Sequence, residues 1–294
     1  MIFPRLQSGL FISYVHRKCR VPSLILDQWS LITLKRKKWD QIFDEPLTGT
    51  NFPLGLTHVP ETLTNAFNGW DFRTLVDTSG EIEQMIPIRK SFLPRSAGKP
   101  DLYGESRQER SMDDVYRRFR SSCTLQEFAD WFEDPSGSHD QARMYLAGVP
   151  LTKIVPQGLD VVLPRDLTER KIPNCPIVYF GRGSQQTPLH FDPTCNLTIV
   201  LRGEKTFTLF PPSSSADLEP VCDIKDIALS WYGRWIPAVY SKLAVEDIPL
   251  TSIPHVKFIV KAGEAAWIPS CWWHSVTGSE EQNGVLVYGF GNRM

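Results

Sequence analysis

The chain has 294 residues, of which 41% are hydrophobic, 22% charged and 11% aromatic, with 32 Lys and Arg against 33 Asp and Glu for a formal net charge of -1. This length allows one large domain or two small ones. No stretch approaches the roughly 18 uncharged apolar residues of a membrane helix. The near-neutral charge supplies no overall field for holding a polyanion, which argues against a dedicated nucleic-acid duplex binder.

Six cysteines (Cys19, Cys123, Cys175, Cys195, Cys222 and Cys271) lie far apart, without a CxxC pair or a Cys/His cluster at zinc spacing. The pattern disfavours a disulfide scaffold and a structural zinc module, and it is the pattern expected of reduced, buried thiols in an intracellular, cytoplasmic or nuclear protein. Residues 1–20 form a basic leader. Arg5, Arg17, Lys18 and Arg20 precede the first acidic residue, Asp27, and Ile2, Phe3, Leu6, Leu10 and Phe11 recur at helical spacing. A mitochondrial presequence has this composition, although Pro4 interrupts the helical pattern early. The basic run Lys35 to Lys38 reads as a solvated face beside Trp39.

Residues 21–150 read as a mixed α/β N-terminal cap. Trp70 to Val76 is a short helix or strand before the turn Thr78-Ser79-Gly80, and Met85 to Arg89 is a strand. The stretch Ser96 to Ser111 is rich in Gly, Pro, Arg and Glu, lacks periodicity and reads as an exposed loop. A helix follows. Thr124 is its N-cap, Glu127 completes a capping box, Leu125, Phe128, Trp131 and Phe132 form an apolar stripe, and Asp134-Pro135 ends it. From residue 151 to 294 the text changes to short β-rich runs closed by Gly or Pro turns: Ile177 to Phe180, Leu197 to Leu201, Thr206 to Phe210, Val256 to Val260, Ala265 to Ile268 and Val285 to Phe290. Such runs without long intervening helices indicate an antiparallel sandwich or barrel.

His190-Phe191-Asp192 brings an imidazole and a carboxylate to one side of an extended segment. A second histidine, His274, ends the aromatic run Trp272-Trp273-His274. Two imidazoles and one carboxylate make the facial triad of non-haem iron oxygenases, which leaves positions open for substrate and dioxygen. Arg202-Gly203 reads as a two-residue hairpin turn, pairing Val200 with Lys205, Thr198 with Phe207 and Asn196 with Leu209. In that register Asn196, Thr198 and Lys205 share one face, and the Lys205 ammonium points into the cavity of the metal ligands. A buried lysine needs an anionic partner, and the distal carboxylate of a metal-bound keto-acid would serve.

The ordered set Met144-Tyr-Leu-Ala147, Thr187-Pro-Leu-His-Phe-Asp192, Asn196, Gly203-Glu-Lys205, Leu209-Phe-Pro-Pro212, Gly263-Glu264, Trp267-Ile-Pro269 and Trp272-Trp-His274 resembles the JmjC family of Fe(II)- and 2-oxoglutarate-dependent oxygenases, within the cupin superfamily. In flavour it is most similar to the small stand-alone JmjC protein hydroxylases. The resemblance implies a mainly β fold with flanking α, a double-stranded β-helix (jelly-roll) core carrying the cap. It implies that His190, Asp192 and His274 hold Fe(II), and that Lys205 pairs with the distal carboxylate of 2-oxoglutarate. Thr187, Asn196 and Tyr145 match positions that hydrogen-bond this co-substrate. With O2, the implied reaction hydroxylates a protein or peptide side chain and releases succinate and carbon dioxide.

Histone or protein N-methyl demethylation uses the same chemistry and is the alternative; a tRNA hydroxylase and a catalytically inactive cupin binding module are further options. Relatives often carry a polar residue followed by Phe-Trp near the last strand, where this chain has Tyr288-Gly289-Phe290-Gly291. That departure puts the last co-substrate contact in question. The short tail after it favours a monomer. Specificity for the prime substrate is expected in the loop Ser96 to Ser111 and in Asp226 to Tyr240, where Trp231, Tyr232, Trp235 and Tyr240 cluster.

Overall fold

A computed structural model describes residues 34–44, 47, 50–60, 85–92, 120–133, 142–154, 163–169, 171, 176–183, 185–192, 194–221, 239–241, 243–279 and 281–290. The basic leader, the segment from Trp70 to Gly80, the loop from Ser96 to Ser111 and the aromatic cluster up to residue 238 lie outside the described residues, as do Cys19, Cys175 and Cys222.

The first strands are β1 (Lys35–Lys38), β2 (Leu54–Thr57), β3 (Met85–Phe92), β4 (Arg120–Thr124) and β5 (Ala142–Pro150), with helix α1 (Leu125–Glu133) between the last two. Then come β6 (Ile177–Arg182), β7 (Gln186–Phe191), β8 (Cys195–Arg202), β9 (Glu204–Phe210), β10 (Pro220–Val221), β11 (Val239–Ser241), β12 (Val256–Lys261), β13 (Ala265–Ile268), β14 (Trp273–Gly278) and β15 (Gln282–Phe290). They form two sheets. The nine-stranded sheet has the order β1-β2-β13-β8-β15-β6-β5-β3-β4, and the six-stranded sheet the order β10-β11-β7-β14-β9-β12. All pairings are antiparallel except β1 with β2.

Alternation of side chains sorts the residues between the layers. In β12, Val256, Phe258 and Val260 point inward while Lys257, Ile259 and Lys261 face out. The inner faces of both sheets meet in one cluster, with Val200, Ala266 and Val285 from the large sheet and Phe207, Leu209 and Phe258 from the small one. The outer face of the large sheet, with Leu197, Ile199 and Leu201 of β8, packs under α1 through Phe128 and Phe132. The capping box forms as expected: Thr124 N–H donates to Glu127 Oε2 at 2.7 Å, and Glu127 N–H donates to Thr124 Oγ1 at 3.1 Å. Both contacts satisfy donors that the first helical turn leaves unpaired. Cys123, Cys195 and Cys271 are buried. Among the described residues, no helix is long and apolar enough to cross a membrane.

One expectation is overturned. β8 and β9 are not a hairpin: β8 pairs with β13 and β15 in the large sheet, and β9 with β12 and β14 in the small one. Gly203, at φ +64°, carries the chain from one layer to the other, and a β-carbon there would stand 2.4 Å from the Gln282 carbonyl oxygen. The corner is tied down instead by the 261–264 turn, where Ala262 N–H donates to Gly203 O and Gly263 N–H to Val200 O. The physical reason lies in β8, which is buried on both faces and so belongs in the middle of a sheet, between strands from far along the chain. Asn196 and Thr198 therefore project from the large sheet and Lys205 from the small one, across the interior from each other.

Candidate metal centre

The inner face of the small sheet carries the metal-ligand candidates. His190 of β7 is the cross-strand partner of His274 of β14, and their rings lie 4.2 Å apart. Behind them, on the outer face, Leu189, Phe191, Phe210 and Trp273 form a separate apolar cluster that fixes the two strands. Asp192 follows β7, and its carbonyl accepts a 2.7 Å hydrogen bond from the Cys271 N–H. Cys271 takes the left-handed conformation at φ 64°, uncommon for a residue with a side chain, and the tight 269–272 turn delivers His274 next to Asp192. Ligand atoms of His190, Asp192 and His274 all lie within 4.8 Å of one another.

The donor set fits a divalent metal. His190 Nδ1 lies 2.8 Å from the Pro188 carbonyl and His274 Nδ1 2.9 Å from the Trp272 carbonyl. A carbonyl only accepts, so each Nδ1 bears a proton, and in the neutral imidazole each Nε2 presents a lone pair. Those two Nε2 atoms face Asp192 Oδ2 at 3.9 and 3.7 Å, beyond hydrogen-bond distance. Electron-rich atoms converging without hydrogen bonds between them repel, and a shared cation resolves the repulsion. Asn196 fixes the carboxylate, its Nδ2 donating to Asp192 Oδ2 at 2.7 Å. Asn196 was expected on the co-substrate; its contact here is with the acidic ligand. Asn196→Ala should weaken divalent-metal binding by about ten- to a hundredfold, read by competition with a chromogenic chelator.

A β-bulge shapes the rest of the wall. Between the His190–His274 and Thr187–Val276 pairs, Pro188 and Leu189 of β7 oppose the single residue Ser275 of β14. The extra residue puts Thr187 on the same inner face as His190, although they are three apart. Ser275 locks the bulge by donating from Oγ to the Thr187 carbonyl at 2.8 Å. Half-buried Tyr240 of β11 stacks on His190 at 5.2 Å and 21°, forming a further side of the site.

Lys205 stands farther along this face, opposite Gly278 of β14, four residues beyond His274 or roughly 13 Å of strand. It is 1% exposed, and no carboxylate among the described residues comes within ion-pair range. Its ammonium lies over the Tyr145 ring, 5.5 Å from the centroid, and donates to Asn283 Oδ1. Burial pulls its pKa from 10.5 down to about 7. Nearby, Gln185 and Tyr145 meet over Gly181, and buried Gln185 Oε1 finds no hydrogen-bond partner among the described residues. A buried ammonium whose described partners are all neutral calls for an anionic guest. Sequence reasoning missed Asn283, Gln185 and the left-handed Cys271, none of which carries a local motif. In the departing segment, Tyr288 packs outward with Phe290 and Trp267, while Gly289 is the residue opposite Asn196.

The sequence matches the cupin-like domain family over residues 39–290. The chain belongs to the cupin-like, JmjC-type family. Among JmjC relatives, it is 28% identical over 110 residues to the lysine-specific demethylase JMJ31 of Arabidopsis thaliana, covering 35% of this chain and 18% of that protein. It is 28% identical over 161 residues to JmjC domain-containing protein D of Dictyostelium discoideum, covering 48% of this chain and 34% of that one. The lysine-specific demethylase JMJ30 of Arabidopsis thaliana matches at 29% over 104 residues, 33% of this chain and 22% of the relative. These alignments thus span at most about a third of the length of each JmjC relative.

Proposed function

We propose that this protein is an Fe(II)- and 2-oxoglutarate-dependent oxygenase that hydroxylates a side chain of a protein substrate and releases succinate and carbon dioxide. One observation carries the reading. A two-histidine, one-aspartate set and a buried ammonium with no carboxylate partner among the described residues face one interior from adjoining strands of a single sheet. Bound iron, with 2-oxoglutarate, supplies the activation of dioxygen that an unactivated C–H bond requires.

The chain's own residues bind and orient. His190, Asp192 and His274 hold the ion from one side and leave its other side to small ligands. Asn196 keeps the Asp192 carboxylate turned toward the two imidazoles. Lys205 receives the distal carboxylate of the co-substrate, with Thr187 and Tyr145 supplying hydroxyls along its length. Phe207, Leu209 and Trp272 line an apolar interior in which the lysine and its carboxylate attract more strongly than in water. Tyr240, against His190, borders the side from which the prime substrate approaches.

N-methyl demethylation is the second reading, favoured by the names of the two Arabidopsis relatives. It differs only in the carbon attacked, because a hydroxylated N-methyl group leaves as formaldehyde. Purified protein given Fe(II), ascorbate and 2-oxoglutarate should release succinate slowly without any prime substrate. With protein substrates added, a mass gain of one oxygen supports hydroxylation and loss of a methyl group supports demethylation. Co-substrate bound but never consumed would leave a binding module, and no binding at all would end the oxygenase reading.

A further inference from the structure

Lys205 is aimed by a residue on a different strand. Its partner on β14 is Gly278, where an added β-carbon would lie 2.6 Å from Asn283 Nδ2 and 2.7 Å from Asn283 Oδ1. The missing side chain lets the Asn283 amide lie across β14 and accept from the Lys205 ammonium. Asn283 is fully buried, and its Nδ2 donates to the carbonyls of Gly183, Ser279 and Glu281 at 3.3, 3.1 and 3.0 Å. All three are acceptors only, so the amide has one orientation, with its oxygen toward Lys205.

The described groups around the ammonium are otherwise uncharged. Tyr145 of β5 contributes its ring, and the cross-strand partners on β12 and β14 are Val260 and Gly278. Tyr145 is the one other titratable group among them. Asn283 is therefore the hydrogen-bond acceptor that the described structure offers to this cation.

We infer that Asn283 is a positioning residue: seated across Gly278, it holds the Lys205 ammonium in place and keeps it protonated, and so sets the affinity of the site for the distal carboxylate of a dicarboxylate co-substrate. This rests on the reading of Lys205 given above. A carboxylate is captured by the ammonium and not by the neutral amine. Affinity is accordingly level at low pH and falls as pH rises through the pKa of Lys205 in the unliganded protein. Removing the acceptor withdraws a charge-assisted hydrogen bond from the protonated form alone, so the decline starts at lower pH.

The test is calorimetric binding of 2-oxoglutarate to the full chain loaded with Mn(II), between about pH 6 and pH 9. Asn283→Ala is expected to move the decline downward by about one pH unit, which weakens binding about fivefold at the wild-type midpoint and about tenfold well above it. Turnover at saturating co-substrate should stay within about twofold, the split between KM and kcat that a lost binding contribution gives. Gly278→Ala keeps Asn283 but takes its space and should shift the profile the same way; it carries the test if Asn283→Ala melts too low to assay. An affinity loss equal at every pH, or none, overturns the inference while leaving the co-substrate reading intact. A wild-type protein without affinity at any pH overturns both.

Discussion

His274→Ala is expected to abolish succinate release and to remove the stabilisation that metal confers on the wild-type protein. Three candidate ligand atoms within 4.8 Å of one another would hold the ion, and losing one would leave an imidazole and a carboxylate that cannot surround it from one side. The variant should still fold. The His274 Nε2 lies 3.7 Å from Asp192 Oδ2, beyond hydrogen-bond distance, so the substitution removes no hydrogen bond between them. Metal that binds only the native state stabilises it by about 2.7 kcal/mol at a hundred times its Kd. Thermal melts with and without Fe(II) or Mn(II) should show that gain in the wild type and none in His274→Ala. A variant that keeps both the metal-dependent shift and succinate release would remove His274 from the site.

Lys205→Met should eliminate 2-oxoglutarate binding and yet stabilise the unliganded protein below neutral pH. Methionine matches the lysine stem in length and needs no partner. The sign follows from proton linkage. Burial lowers the pKa of Lys205 to about 7 in the folded chain against 10.5 in the unfolded one, so between those values the unfolded state holds a proton that the folded state has released. Stability therefore rises with pH through that window, and below pH 7 the folded protein carries the full cost of the buried charge, about 5 kcal/mol. Lys205→Met should flatten this dependence, with a larger gain in Tm at pH 6 than at pH 9. Equal gains at both pH values would show that the ammonium is not buried as the structure has it.

Local signals were dependable where a local cause acts. The capping box at Thr124 and Glu127 closed because both partners lie within one turn. The run Ile177 to Phe180 became a strand because its period-two burial needs no distant information, and Ala265 to Ile268, buried at all four positions, became one as a short apolar run. The turn at Gly203 failed for the opposite reason. Its φ of +64° suits a hairpin, yet whether flanking strands pair is decided by competitors, and β13 and β15 take both edges of β8. The bulge at Pro188 was equally hidden. It exists only relative to Ser275, more than eighty residues away, and it is what turns Thr187 to the side of His190.

The sequence by itself determined the chemistry of the centre: two imidazoles, a carboxylate and a lysine, in an order and spacing that a β-rich chain brings together. Side-chain identity is covalent, and no fold changes what a ligand set can hold. The tertiary structure decided which atoms face which. It set Lys205 on the opposite layer from Asn196, gave Asn196 to Asp192, and laid Asn283 across Gly278 to reach the lysine. Backbone ladders are alike at every residue, so strand partners are chosen by burial summed over whole faces. That choice is made among residues about eighty apart in sequence, such as Lys205 and Asn283, where no local pattern records it.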